Sequence, residues 1–231
     1  TYKVQFQITF AQSGIGGDST GTVVTVAGAP KTAGDLPFTT DWLDSGSSLG
    51  YSYSDPVAST VSGKRYLLTT PAATPASPIT VSDSTTVTGA YKIQFQITFA
   101  QSGIGGDTGS NTVVTLAGTP HAAGALPFSD WFDNGSSLTY SYSDPVASTV
   151  SGKRYLLTTP AATPASPITV SGSTTVTGTY KVQFQITFAQ SGIGGDTPGT
   201  VVTVAGSPKT AAVLPFGDWF DSGSSLAYRY S

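Results

Sequence analysis

"YKVQFQITFAQSGIGGD" occupies Tyr2 to Asp18, returns with one Val-to-Ile exchange at Tyr91 to Asp107, and returns unchanged at Tyr180 to Asp196. Within it Tyr2, Val4, Phe6, Ile8 and Phe10 alternate with Lys3, Gln5, Gln7 and Thr9. A period of two marks a strand with one buried face, and the Gly-rich "SGIGGD" ends it. The starts at 2, 91 and 180 share a spacing of 89 residues. Self-similarity at a fixed period is the signature of an array of like units rather than of one large domain. The copies predicted from that period are 1–89, 90–178 and a partial third, 179–231.

The identity extends to the loops. "YSDPVASTVSGKRYLLTTPAATPASPITVS" stands verbatim at Tyr53 to Ser82 and at Tyr142 to Ser171. Loops are where binding and catalytic specialisation collects, and none has diverged here. The chain reads as one built for repetition.

Composition narrows the class. The 231 residues carry 10 Lys plus Arg against 13 acids, all of them Asp, for a formal charge of −3. That balance supplies no electrostatic footprint for nucleic acid or for an anionic membrane face. Charged residues are only 10% of the chain, while Ser and Thr together make up about 29%. Solubility therefore rests on hydroxyls and amides rather than on charge, with room for attached sugars, a balance that suits an extracellular or cell-surface protein. Cysteine is absent, so neither a disulfide framework nor a thiolate metal site is available. Methionine is absent too, and no charged start precedes an apolar run, as in a processed product or a slice of a longer chain. No apolar run is long enough for a membrane-spanning helix.

One repeat reads almost wholly as strand and turn. After Tyr2 to Phe10 come Thr22 to Val26, a strand carrying Leu49, Tyr51 and Tyr53, then Arg65 to Thr70. Pro71, Pro75 and Pro78 punctuate the next segment, and Ile79 to Ser82 and Thr85 to Thr88 are two further short strands. No stretch has helical apolar spacing. About seven short strands per repeat point to tandem antiparallel β-sandwiches of the immunoglobulin-like kind. At the junction, "TTVTGAYKIQFQITFA" from Thr85 runs one copy into the next across only Gly89 and Ala90. A junction without a flexible linker predicts a stiff linear rod. The third copy stops at "YRYS", matching "YSYS" at Tyr140 to Ser143. Half a sandwich exposes strand edges, so its completion is expected from a continuation of the same chain or from a neighbouring molecule in a head-to-tail homopolymer.

The patterns "Y-x-x-Q-[FY]-x-[IV]-T-F", "W-[FL]-D-x-G-S-S-L-x-Y-x-Y", "G-K-R-Y-L-L" and "P-I-T-V-S-x-S-T-T-V-T-G" resemble tandem immunoglobulin-like repeats of long archaeal and bacterial cell-surface proteins. The resemblance spans essentially the whole chain. It implies S-layer-associated proteins, adhesin stalks or extracellular filaments, glycosylated, whose repeats are not catalytic.

Chemical motifs stand beside that resemblance. Asp44-Ser45-Gly46 and Asp221-Ser222-Gly223 match the triplet of aspartic proteases, but the middle copy reads Asp133-Asn134-Gly135, and Asp and Gly are ordinary turn formers. The pairs Asp41/Asp44, Asp130/Asp133 and Asp218/Asp221 offer oxygen ligands for calcium, without the dense acidic cluster that calcium sites use. His121, the single histidine, stands where the other copies have Lys31 and Lys209 and reads as a surface substitution. Trp42, Trp131 and Trp219 read as packed core or turn-anchoring aromatics, with sugar stacking as the alternative. No catalytic residue, metal site or cofactor is expected. Asn134-Gly135-Ser136 is an N-glycosylation sequon in a turn. The Ser/Thr/Pro segments "TTPAATPASP", with Thr70, Thr74, Thr159 and Thr163, have the character of O-glycosylated stalks. The resulting expectation is a non-enzymatic extracellular filament or surface stalk. The alternative is an adhesin or carbohydrate-binding array in which weak sites for surface glycans gain avidity through repetition.

Overall fold

The computed structural model describes residues 2–69, 75–158 and 164–231. Among them the chain is strand and turn, with four short 3₁₀ segments at Ala33–Asp35, Gly106–Thr108, Ala123–Ala125 and Ala211–Val213 and no α-helix. It is an all-β protein of mostly antiparallel sheets packed as β-sandwiches.

The chain divides into two compact units. The first holds 1–98 with 129–137 and 169–175; the second holds 99–128, 138–168 and 176–231. These units do not coincide with the 89-residue copies, because the junction is a single strand, Thr85–Ser102.

In the first unit, Ile8–Ser13 pairs antiparallel with Phe38–Thr39 and parallel with the first third of the junction strand, from Thr85↔Ile8 to Ala90↔Ser13. The next residues of that strand pair antiparallel with Lys64–Leu68, from Tyr91↔Leu68 to Phe95↔Lys64. Facing them, Val24–Val26 lies between Ala29–Lys31 and Tyr51–Tyr53. Alternation in these strands sends every second β-branched or aromatic residue inward. The core gathers Ile8, Phe10, Val24, Val26, Leu49, Ile79, Val81 and Val87, with a second cluster of Val23, Val57, Tyr66 and Tyr91. Tyr91 thus closes the core of the copy before its own.

In the second unit, Lys153–Leu157 pairs with Tyr180 to Phe184 of the strand Thr174–Phe188, which pairs on its other side with Phe216–Asp221. Val113, Val146, Tyr155 and Tyr180 form one cluster, and Phe188, Val202 and Val204 another.

The strand expected from Tyr2 to Phe10 is broken into Gln5–Phe6 and Ile8–Ser13, and Tyr2 and Val4 are exposed. Tyr91 and Tyr180, the counterparts of Tyr2, are buried because a Lys-Arg-Tyr-Leu-Leu strand lies beside them. The strand expected from Arg65 to Thr70 is Lys64–Leu68, with Thr70 outside the described residues, and Ile79 to Ser82 shrinks to Ile79–Thr80.

Candidate functional site

The most developed side-chain constellation crosses three strands of the first unit. Arg65 and Gln94 are register partners on adjacent strands, and Arg65 Nε donates to Gln94 Oε1 at 2.9 Å. Gln94 Nε2 donates to Asp133 Oδ1 at 2.8 Å, and Lys92 Nζ to Asp133 Oδ2 at 2.7 Å. The Arg65 guanidinium lies over the Trp131 ring, 4.4 Å from its centroid. The second unit repeats the row: Arg154, Gln183 and Asp221 are successive register partners, with bonds of 2.9 and 2.8 Å. Lys181 reaches Asp221 at 2.6 Å, and Arg154 stacks over Trp219 at 4.3 Å.

The local sequence explains the geometry. Gln94 and Gln183 are only 7% exposed, and a buried amide must have both its donor and its acceptor answered. The arginine answers one end and the aspartate the other. The adjacent lysine hydrogen bond holds the Asp133 and Asp221 carboxyls below the usual carboxylate range. The charge-assisted bond from arginine to the buried amide is worth about 1.5–3 kcal/mol and the stacked guanidinium about 0.5–1 kcal/mol. Chemically the row is a fastening. It holds a charge-paired acid and a stacked cation.

In each row the arginine comes from one sequence copy and the glutamine, aspartate, lysine and tryptophan from the next. The first copy has only the second half: Lys3 and Gln5 hold Asp44 at 2.6 and 2.9 Å, while Trp42 is 62% exposed. The core reading of the three tryptophans is therefore replaced by a surface one. The ring quadrupole of Trp131 and Trp219 attracts the guanidinium that covers each of them.

A second constellation lies under the "SGIGGD" loop. Asp18 accepts from Lys64 Nζ at 2.8 Å, Ser59 Oγ at 2.5 Å and the Tyr66 hydroxyl. Asp107 is held in the same way by Lys153, Ser148 and Tyr155. The Lys64 bond leads in pushing the Asp18 carboxyl far below its ordinary value, and the Ser148 bond leads for Asp107. An acid so firmly ionised is a poor proton donor, and the lysine beside it is held protonated. The arrangement ties the loop to the sheet. An open cavity of about 390 Å³ beside it is lined by Gln12, Ile15, Gly16, Ser19 and Thr32 among others, and by no charged side chain.

Asn134 is exposed in its turn, and its backbone N–H donates to Ile93 O. Thr70, Thr74, Thr159 and Thr163 lie outside the described residues. His121 stacks on Phe128 at 4.4 Å, as the Lys31 and Lys209 ammonium groups sit over Phe38 and Phe216. Asp44 and Asp221 are each engaged by their own lysine. Among the described residues no group of three or more His, Cys, Asp or Glu side chains is placed to hold a metal ion, and no helix is long and apolar enough to cross a membrane. Sequence reasoning missed the arginine row; its trace was Arg65 and Arg154 standing at a fixed distance before each Gln-containing strand.

No protein-family model and no curated protein matches the chain. Among solved structures it is similar to domains 3-4 of the Streptococcal High Identity Repeats in Tandem (SHIRT) of a cell surface protein. The identity is 12%, over 76% of this chain and 96% of that one, with a TM-score of 0.22. A score that low does not establish a shared architecture.

Proposed function

We propose that the chain is a structural, non-enzymatic extracellular element, a filament or surface stalk of tandem immunoglobulin-like units, each fastened to the next in a stiff linear rod. The observation that carries this reading is the recurring row: Arg65 with Trp131, and Arg154 with Trp219, join residues of consecutive copies in the same way twice. An interface repeated without change, on a strand that passes between copies with no linker, is what a modular array requires.

The resemblance of the repeat motifs to those of long archaeal and bacterial surface proteins supports the same reading, as does a surface rich in hydroxyls and poor in charge. In 179–231 the aromatic Tyr228 is 60% exposed where its counterpart Tyr140 is 6% exposed. A further copy, on the same chain or on a neighbour, covers that face in this proposal. Sugars on Asn134 and on the Thr/Pro segments would add solubility along the rod.

The test is the mass of the native chain in denaturant. A species many times heavier than 23.5 kDa, carrying the repeat peptides throughout, is expected of a covalent array. A species near that mass which assembles end to end only in native buffer supports the strand-complemented form. A species of that mass that stays monomeric at high concentration overturns the reading.

A further inference from the structure

We propose that each complete copy is a load-bearing clamp, in which tension along the chain is resisted by the parallel ladder of Ile8–Ser13 with Thr85–Ala90, pinned across its middle by Tyr53. The proposal rests on the stalk reading only for the origin of the tension.

The direction of the ladder decides how force reaches it. The chain enters at Ile8 and leaves past Ala90, and the two strands are parallel, with Thr85 opposite Ile8 and Ala90 opposite Ser13. Entry and exit therefore lie at opposite ends of the ladder. Tension drags one strand backward and the other forward along their own axes, so all six paired positions are loaded together. Strands pulled apart from a common end surrender their hydrogen bonds one at a time. Beyond Ala90 the outgoing strand is still paired, from Tyr91↔Leu68 to Phe95↔Lys64, so a second ladder must slide before the first is free.

Tyr53 spans the joint between the sliding strands. Its hydroxyl lies 2.6 Å from Ala11 O on one and 2.8 Å from Val87 O on the other, so a single donor serves both. Burial pushes that phenol up to about 12, so the hydroxyl stays a donor well above the pH at which a free phenol ionises. The ring packs against Gly89, where an added Cβ would come 2.5 Å from Tyr53 Cδ1. Just past the ladder, Gly14 (φ +87°) approaches the Tyr91 carbonyl too closely for any side chain. The second copy has the same pin: the Tyr142 hydroxyl reaches Ala100 O at 2.7 Å and Val176 O at 3.0 Å, over Gly178. A tyrosine set between two backbones, on a glycine that admits it, holds the strands against displacement along their length.

The absence of cysteine lets single-molecule handles be placed freely in the full chain. Gln7→Cys with Gln96→Cys loads the ladder lengthwise. Gln7→Cys with Ser84→Cys pulls it open from one end, where Gln7 N is 3.4 Å from Ser84 Oγ. A contour gain of about 30 nm, at about 3.5 Å per residue, identifies rupture of the copy in the first geometry. The expected result is severalfold higher rupture force lengthwise than from one end. Tyr53→Phe should raise the lengthwise unfolding rate about fivefold, the factor of one lost hydrogen bond, and leave the other geometry unchanged. Equal forces in the two geometries overturn the clamp, and an unchanged lengthwise rate in folded Tyr53→Phe overturns the pin. Neither outcome bears on the native mass, which tests the stalk reading by itself.

Discussion

Replacing Gly89 and Gly178 together by alanine tests the aromatic pins. At Gly89 the new methyl would lie 2.5 and 2.6 Å from Tyr53 Cδ1 and Cε1, against an optimum near 3.5–4.0 Å, so the ring must retreat by about 1 Å. It cannot do so and keep its hydroxyl on Ala11 O and Val87 O. Overpacking costs about 1–3 kcal/mol and the weakened hydrogen bond about 1 kcal/mol. Alanine returns about 0.5–1 kcal/mol, because glycine is the poorer strand residue. The net loss is about 2 kcal/mol per copy. With a urea slope of about 1–3 kcal/mol per molar, the unfolding midpoint should fall by about 1 M. The same alanines in a Tyr53→Leu, Tyr142→Leu background should cost almost nothing, a coupling of at least about 1 kcal/mol. An unmoved midpoint, or an equal loss in both backgrounds, refutes the argument that the ring requires the glycine.

The side-chain networks carry two more expected outcomes. The Asp18 and Asp107 carboxyls are depressed from an ordinary value of 3.8, chiefly by the Lys64 and Ser148 hydrogen bonds respectively. Their contribution is therefore complete above about pH 5 and is lost as pH falls through the ordinary carboxylate range toward the folded values. Urea titrations from about pH 7 to about pH 2 should show a shallower acid loss for the Asp18→Asn, Asp107→Asn pair than for the parent, and an equally steep loss would show that these acids are not responsible. In single-tryptophan variants, with the other two changed to phenylalanine, acrylamide should quench Trp42 more strongly than Trp131 or Trp219. Arg65→Gln should raise the quenching of Trp131 toward that of Trp42, and no change would remove the stacked guanidinium as its cover.

The strands were legible because alternation is local. Ile8, Phe10, Val24 and Leu49 are buried as their positions in the pattern require. The partner of each strand is not local. Nothing in Ile8–Ser13 or Thr85–Ala90 states that the two run parallel, since a one-sided strand has the same pattern in either direction. Gln94 illustrates the harder case. It occupies a polar slot in the alternation yet is buried, because Arg65 and Asp133 arrive from strands distant in sequence to meet both ends of its amide. Trp131 reads as core from its size alone, when what fixes its place is an arginine 66 positions earlier.

The continuous strand Thr85–Ser102 also constrains how such a gene can change. Tyr91 closes one core and Ile97, fully buried, lies six residues further along the same strand. A single residue inserted or lost between them would turn every later side chain of that strand to the wrong face. Gain or loss of a whole 89-residue period leaves the pattern of every strand intact. Adding or removing whole periods would therefore keep the alternation of every strand, whereas a one-residue change at a joint would invert the faces beyond it unless a bulge absorbed it. Length is thus a property that this pattern allows to change in whole steps.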